Sequence, residues 1–346
     1  DPDRTDRLAR LTYNHAAGTA DLSSHLTLLE GVTWHEWHNG GGLAFGADGL
    51  LYVSTGDANI PNEARNPGTL NGKVLRIQPT AGGYTVPVDN PYVNVAGARP
   101  EVYAVGLRNP FRTFLHPGDN TIYVADVGAK DWEEINRLDA PGLDFGWNLR
   151  EGPCYLQSDN CTPAAGLRDP YVSYRHDDGT TRAGAAIAAI TAYTGSAFPA
   201  EYHNRIFFTD FTRQWLAVDD PAVPAGFRII GTRVGGINDM EQSRGALYLL
   251  DVERGAIWEL RYTAGDNQAP SAGLAVSVAT GKPPLAVTAR AEQVNDPDDV
   301  VLTYHWDFGD GAQLQTEEPQ ASHTYTADGT YMLGLQVVDG RGAAST

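Results

Sequence analysis

A phrase of turn formers followed by apolar residues recurs along this chain. It reads Asp48-Gly49-Leu50-Leu51-Tyr52-Val53, then Asp119-Asn120-Thr121-Ile122-Tyr123-Val124-Ala125-Asp126, then Arg244-Gly245-Ala246-Leu247-Tyr248-Leu249-Leu250-Asp251. A weaker copy is Asn204-Arg205-Ile206-Phe207-Phe208-Thr209-Asp210. Each copy is a tight turn feeding an apolar strand with an aromatic near its middle. Irregular repetition of this kind predicts the blades of a β-propeller, one copy per blade. No long heptad or amphipathic helical pattern interrupts it, so the chain reads as all-β. The uneven gaps leave room for long loops, and the stretch from Pro141 to Tyr171 reads as one.

After the last blade-like strand, Ala256 to Tyr262, Gly, Asp and Pro cluster over 263–270. We read 264–269 as a linker between a propeller at 1–263 and a second domain at 270–346. The second domain carries short alternating strands, among them Leu285 to Ala289 and Tyr331 to Val338, and suits a small β-sandwich. Its acids Asp296, Asp298, Asp307 and Asp310 are expected to serve turns, with surface calcium as the alternative.

Composition agrees with short strands and frequent turns: 38 Gly and 21 Pro in 346 residues. The formal net charge of −18 argues against nucleic acid or an anionic lipid surface as partner. No stretch approaches the ~20 apolar residues of a membrane span. The first residues, Asp1 to Asp6, do not read as a signal peptide. Two cysteines, Cys154 and Cys161, flank six residues rich in turn formers. They are expected to close a small disulfide loop, which implies an oxidising compartment, secreted or periplasmic.

The candidate chemistry begins at His38-Asn39-Gly40-Gly41-Gly42, which runs through two strands to Asp57. A hairpin there folds Asp57 back toward His38, and an imidazole facing a carboxylate can act as a general base of fixed tautomer. The alternative is a structural histidine at a strand turn. His35 ranks behind His38 because it lacks the following glycines.

At His38-Asn39-Gly40-Gly41 and Arg108-Asn109-Pro110-Phe111-Arg112 the first domain resembles the soluble PQQ-dependent glucose/sorbosone dehydrogenases. The likeness continues at Val124 to Gly128, Glu133 to Asn136 and Phe145-Gly146-Trp147. The resemblance implies a six-bladed propeller that oxidises the anomeric hydroxyl of an aldose-type sugar, with PQQ and calcium as cofactors and an external electron acceptor. It makes His38 the base, Asp57 its partner, and Arg108 and Asn109 the cofactor contacts. It assigns calcium to the backbone carbonyls of Gly128 and Ala129. Glu134 is implied to be structural, Asp126 reads as a turn residue, and Arg112 as a brace. The second domain resembles a PKD domain, an immunoglobulin-like sandwich, at Tyr304 to Gly311 and His323-Thr324-Tyr325. Such domains imply a polysaccharide or cell-surface ligand.

Several features depart from the family pattern. Gly235 to Asp239 carries no basic residue to clamp PQQ carboxylates, and Arg213 is the candidate substitute. No aromatic platform for a sugar stands between Arg182 and Ile190. At roughly forty residues per blade, 1–263 is short for six blades, so both ends are expected to be truncated. The rival readings are a non-catalytic binding propeller and a calcium-dependent lactonase.

Overall fold

The computed structural model describes residues 5–177, 185–223, 226–262, 267–297, 302–339 and 342–345. The expected linker falls partly outside them, as do Asp298 and residues 182–184 of the stretch without an aromatic platform. The chain divides into two compact units, Asp1–Tyr262 and Thr263–Thr346.

Four successive antiparallel sheets build most of the first unit among the described residues. The first blade orders Gly40–Phe45, Leu51–Thr55, Lys73–Thr80 and Val102–Val105. The second orders Pro110–His116, Thr121–Asp126, Trp132–Leu138 and Val172–Arg175. Ile187–Tyr193, Arg205–Asp210, Trp215–Asp219 and Phe227–Thr232 form the third. Ile237–Ser243, Ala246–Asp251 and Ala256–Leu260 form the fourth. A hairpin of Thr5–Asn14 and Thr19–Thr33 precedes them.

Every copy of the repeated phrase is the second strand of its blade. Two copies share a side-chain device. Asp48 Oδ1 accepts the Leu50 N–H and its Oδ2 accepts the Tyr52 hydroxyl, each at 3.0 Å. Asp119 does the same for Thr121 and Tyr123, again at 3.0 Å. The turn position carries positive φ in all four copies, at Gly49, Asn120, Asn204 and Gly245, which explains the Gly and Asn there.

Strands buried on both faces read as continuous apolar runs, because each of the first three blades is packed on both sides. Tyr52, Val74 and Ala104 of the first blade meet Ile122 and Val124 of the second. Tyr123, Ala125 and Ile135 pack with Ile187, Ile206 and Phe208 of the third, and Phe207, Leu216 and Val218 with Ile237, Leu247 and Leu249 of the fourth. Leu29 and Val32 of the hairpin cover Leu51, Val53 and Leu75 on the first blade's other face. Each buried Val, Leu, Ile or Phe among them contributes about 1.5–3 kcal/mol.

Among the described residues the second unit is a sandwich of two three-stranded sheets. Its core gathers Val287, Tyr304, Trp306, Phe308, Tyr325 and Val337. Asp307 and Asp310 accept the N–H groups of Gly309 and Ala312, and Asp310 also pairs with His323 at 2.7 Å. Their lone pairs serve turns, as expected from the sequence.

Candidate active site

The site lies at the ends of the first two blades. His38 precedes the glycine turn into the first strand and has φ of 61°. Its carbonyl accepts the Ala58 N–H at 3.1 Å, which folds the Asp57 turn onto it. Only glycine fits at position 56, because a Cβ there would lie 1.8 Å from the His38 carbonyl oxygen. Fully buried Lys73 secures the loop that follows, donating from Nζ to the carbonyls of Glu63, Ala64 and Asn71. Burial pulls its pKa down to about 7.

His38, Asp57 and Arg108 meet. His38 Nδ1 lies 2.8 Å from Asp57 Oδ1, and Arg108 Nη2 lies 2.8 Å from His38 Nε2. A guanidinium has no lone pair to offer, so Arg108 must donate and Nε2 must accept. The proton therefore sits on Nδ1 and points at Asp57. This is the tautomer a base acting through Nε2 requires, and in the structure Arg108 covers that lone pair. Asp57 is fully buried, while the His38 side chain keeps 15 % exposure.

Arg108 is held in turn by Val127 and Gly128. Its Nη1 donates to their carbonyls at 2.9 and 2.5 Å. Its backbone N–H and that of Asn109 donate to the two oxygens of Asp126. Asn109 Oδ1 accepts the Gly40 N–H at 3.2 Å, tying the second blade to the glycine turn beside His38. Asp126 thus fixes the strand start that carries both candidate cofactor contacts. Burial, then the charge of Glu134, raises its pKa well above the usual range, against the pull of the two amide bonds.

Two residues that sequence reasoning passed over complete the arrangement. Trp147 belongs to the Phe145-Gly146-Trp147 block, and its Nε1 donates to Asp57 Oδ2 at 2.8 Å. No motif marks Glu151. Its Oε1 accepts four successive backbone N–H groups, from Ala129, Lys130, Asp131 and Trp132, at 2.7–3.0 Å. It thereby shapes the loop whose first carbonyl holds Arg108. Glu151 pairs with Cys154 in a short hairpin, and Cys154 is disulfide-bonded to Cys161 as expected.

The remaining candidates lie elsewhere. The His35 ring accepts the Trp37 N–H and does not join the group. Arg112 braces Asp239 at 3.3 Å. Arg213 is buried, and its Nη2 donates to the carbonyls of Arg175 and His176. Glu134 accepts the Gly152 N–H, and burial pushes its pKa up to about 7. Glu133 lies 2.7 Å from His176 Nε2 and accepts the Ile187 N–H, linking the second and third blades.

Residues 2–258 match the family model for glucose/sorbosone dehydrogenase. The chain belongs to that family. Residues 267–346 match the PKD domain model. The chain is 29 % identical over 214 residues to the HIPL2 protein of Arabidopsis thaliana, covering 55 % of this chain and 31 % of that protein. It is 27 % identical over 225 residues to the aldose sugar dehydrogenase YliI of Escherichia coli, covering 62 % of this chain and 57 % of YliI. It therefore spans less than two thirds of either relative. A crystal structure of a glucose dehydrogenase superposes with a TM-score of 0.59 at 25 % identity, covering 76 % of this chain and 79 % of that one. The PQQ-bound aldose sugar dehydrogenase of Streptomyces coelicolor gives 0.56 at 22 %, covering 74 % and 71 %. Among the described residues no helix is long and apolar enough to cross a membrane.

The family implies two cofactors, PQQ and calcium. Calcium takes six to eight oxygens. Among the described residues no three His, Cys, Asp or Glu side chains are grouped for a metal, and the Gly128 carbonyl already carries Arg108. A calcium ion here would draw on the backbone carbonyls of Gly128 and Ala129 rather than on a carboxylate cluster. An anionic quinone has a cation to meet. Asp57, Asp126 and Glu151 accept inward-facing donors, which leaves the half-buried Arg108 guanidinium as the cation beside His38.

Proposed function

We propose that this chain oxidises the anomeric hydroxyl of an aldose-type sugar to the lactone, with PQQ as cofactor and an external carrier or dye as final acceptor. Arg108 and Asn109 would hold the cofactor. PQQ, when bound, supplies the carbonyl carbon that accepts hydride. The chain's own residues handle the proton. The substrate hydroxyl displaces Arg108 Nη2 from His38 Nε2 and gives its proton to that nitrogen. Asp57, fixed on Nδ1, stabilises the resulting imidazolium, and the displaced guanidinium stabilises charge that develops beside it.

The observation that carries this reading is the unbroken relay of Asp57, His38 and Arg108, joined by two contacts of 2.8 Å. The YliI likeness and the PQQ-bound structural neighbour support the reaction class. The disulfide supports a secreted or periplasmic location. The PKD unit is proposed to bind a polysaccharide or cell-surface ligand.

A second reading, a binding propeller without turnover, is favoured by the lack of any Lys or Arg in Gly235 to Asp239. Titration with PQQ, followed by absorbance and by dye reduction with a panel of aldoses, separates the two. The dehydrogenase reading expects PQQ-dependent turnover that falls by about 10²–10⁴ in His38→Ala. Undiminished turnover in that variant, or none in the wild type, removes it.

A further inference from the structure

We infer that Trp147 is a positioning residue that sets the orientation and tautomer of His38 through Asp57. The inference deepens the proposed function and rests on His38 as its base.

Asp57 has two oxygens and three neighbours to serve. Oδ1 accepts His38 Nδ1–H and the Asn59 N–H, both at 2.8 Å. Among the described residues the donor that reaches Oδ2 is the indole N–H of Trp147, also at 2.8 Å. The carboxylate is fully buried, so water cannot replace a lost donor there. Its plane is thus fixed by a bond at each end: the turn and the histidine on one side, the indole on the other. Without the indole, the carboxylate is free to rotate about its χ2 axis, and the oxygen facing Nδ1 is no longer specified.

The same ring bears on the other arm of the relay. The Arg108 guanidinium carbon lies 5.6 Å from the centre of the Trp147 ring, within cation–π range. Trp147 therefore touches both groups that define the state of His38, one by its N–H and one by its face. Its own position is well supported: it is 9 % exposed, and its backbone N–H donates to the Gly106 carbonyl at 3.0 Å. The side chain comes from the long excursion between the third and fourth strands of the second blade. A third segment thus locks an acid and a base from the first.

The test substitutes Trp147→Phe, which keeps an aromatic face for Arg108 but deletes the indole donor together with part of the ring volume. Trp215→Phe is the control, since Trp215 is also buried but packs in the cluster between the second and third blades. The readout is the imidazole ¹⁵N and ¹H spectrum of His38 in protein without cofactor. Wild type and Trp215→Phe are expected to show a protonated Nδ1, an unprotonated Nε2 and a slowly exchanging Nδ1 proton. In Trp147→Phe that proton is expected to exchange about ten to a hundredfold faster, the factor that losing a hydrogen bond to a charged group gives. A His38 spectrum unchanged in Trp147→Phe overturns the inference.

If Trp147→Phe does not fold, the coupling is read from the opposite end. His38→Ala removes a partly exposed side chain and should shift the Trp147 indole N–H resonance through Asp57. An indole resonance that stays in place likewise overturns the inference. Neither measurement needs PQQ. Intact coupling in a protein with no dehydrogenase activity therefore refutes the redox reading while leaving the role of Trp147 standing.

Discussion

Glu134 offers a quantitative check on the acids beneath the site. Burial raises its pKa from the ordinary 4.5 to about 7, although Asn136 and the Gly152 N–H both pull it down. A carboxyl raised in the folded state binds its proton more tightly there than in the unfolded chain. Stability is then fullest below the unfolded pKa and falls as pH rises through the folded one. Between pH 5 and pH 8 this group alone should remove about 2–3 kcal/mol. Asp126, whose carboxyl the charge of Glu134 helps raise, moves in the same direction. Glu134→Gln abolishes the term. The new amide can be accommodated, because Asn136 Nδ2 donates to Glu134 while Asn136 Oδ1 has no partner among the described residues. Turning the Asn136 amide over offers Oδ1 to the Gln donor without adding to the unpaired atoms. Urea unfolding of both proteins at the two pH values gives the answer. The transition of the propeller's tryptophans should lose about 2–3 kcal/mol more in wild type than in Glu134→Gln, and the sandwich transition should not differ. Equal pH slopes in the propeller transition would falsify the claim that Glu134 is neutral-prone in the fold.

Two further outcomes follow from the same geometry. Gly56→Ala forces a methyl into the His38 carbonyl and should lower the propeller's melting temperature by about 5 °C or more, with calorimetry as the check; a change under about 1 °C would mean that the turn yields freely. Opening the Cys154–Cys161 loop with reductant, or by Cys161→Ser, should cost about 2–3 kcal/mol for a loop of this size. Because Glu151 stands opposite Cys154, amide exchange at Ala129 to Trp132 should quicken as well, and exchange unchanged there would separate the disulfide from the carbonyl loop.

The blades were legible because their signal is local. A residue at positive φ with an aromatic three places on marks the second strand of each of the four blades, and in the first two a turn acid precedes it. His38 and Asp57 were legible for a related reason: one hairpin joins them. Arg108 could be reached only by resemblance, since no spacing rule links position 38 to position 108. Trp147 and Glu151 were harder still. An indole N–H aimed at a carboxylate 90 positions away, and a glutamate that gathers four amides, leave no periodic trace. Arg213 shows the converse. Its charge made it a candidate cofactor contact, whereas its Nη2 is spent on the carbonyls of Arg175 and His176.

The aspartate of the relay has a structural counterpart in the other blades. Counting three residues from the aromatic of each repeat gives Asp126 after Tyr123, Asp210 after Phe207 and Asp251 after Tyr248. All three are buried, and each accepts backbone N–H groups from a neighbouring segment: Arg108 and Asn109, Ala186 and Arg213, and Glu253 and Arg254. A buried carboxylate is stable in those places because amide dipoles replace its water. In the first blade the same count from Tyr52 reaches Thr55, whose hydroxyl donates to the Leu70 carbonyl. The acid comes two residues later, at Asp57. It retains one amide partner, Asn59, and exchanges the others for the imidazole of His38 and the indole of Trp147. Moving the acid past the strand end carries it beyond the amide cluster and against a histidine. A loop-tying carboxylate thereby becomes one that can hold a base, with no change in the blade that supports it.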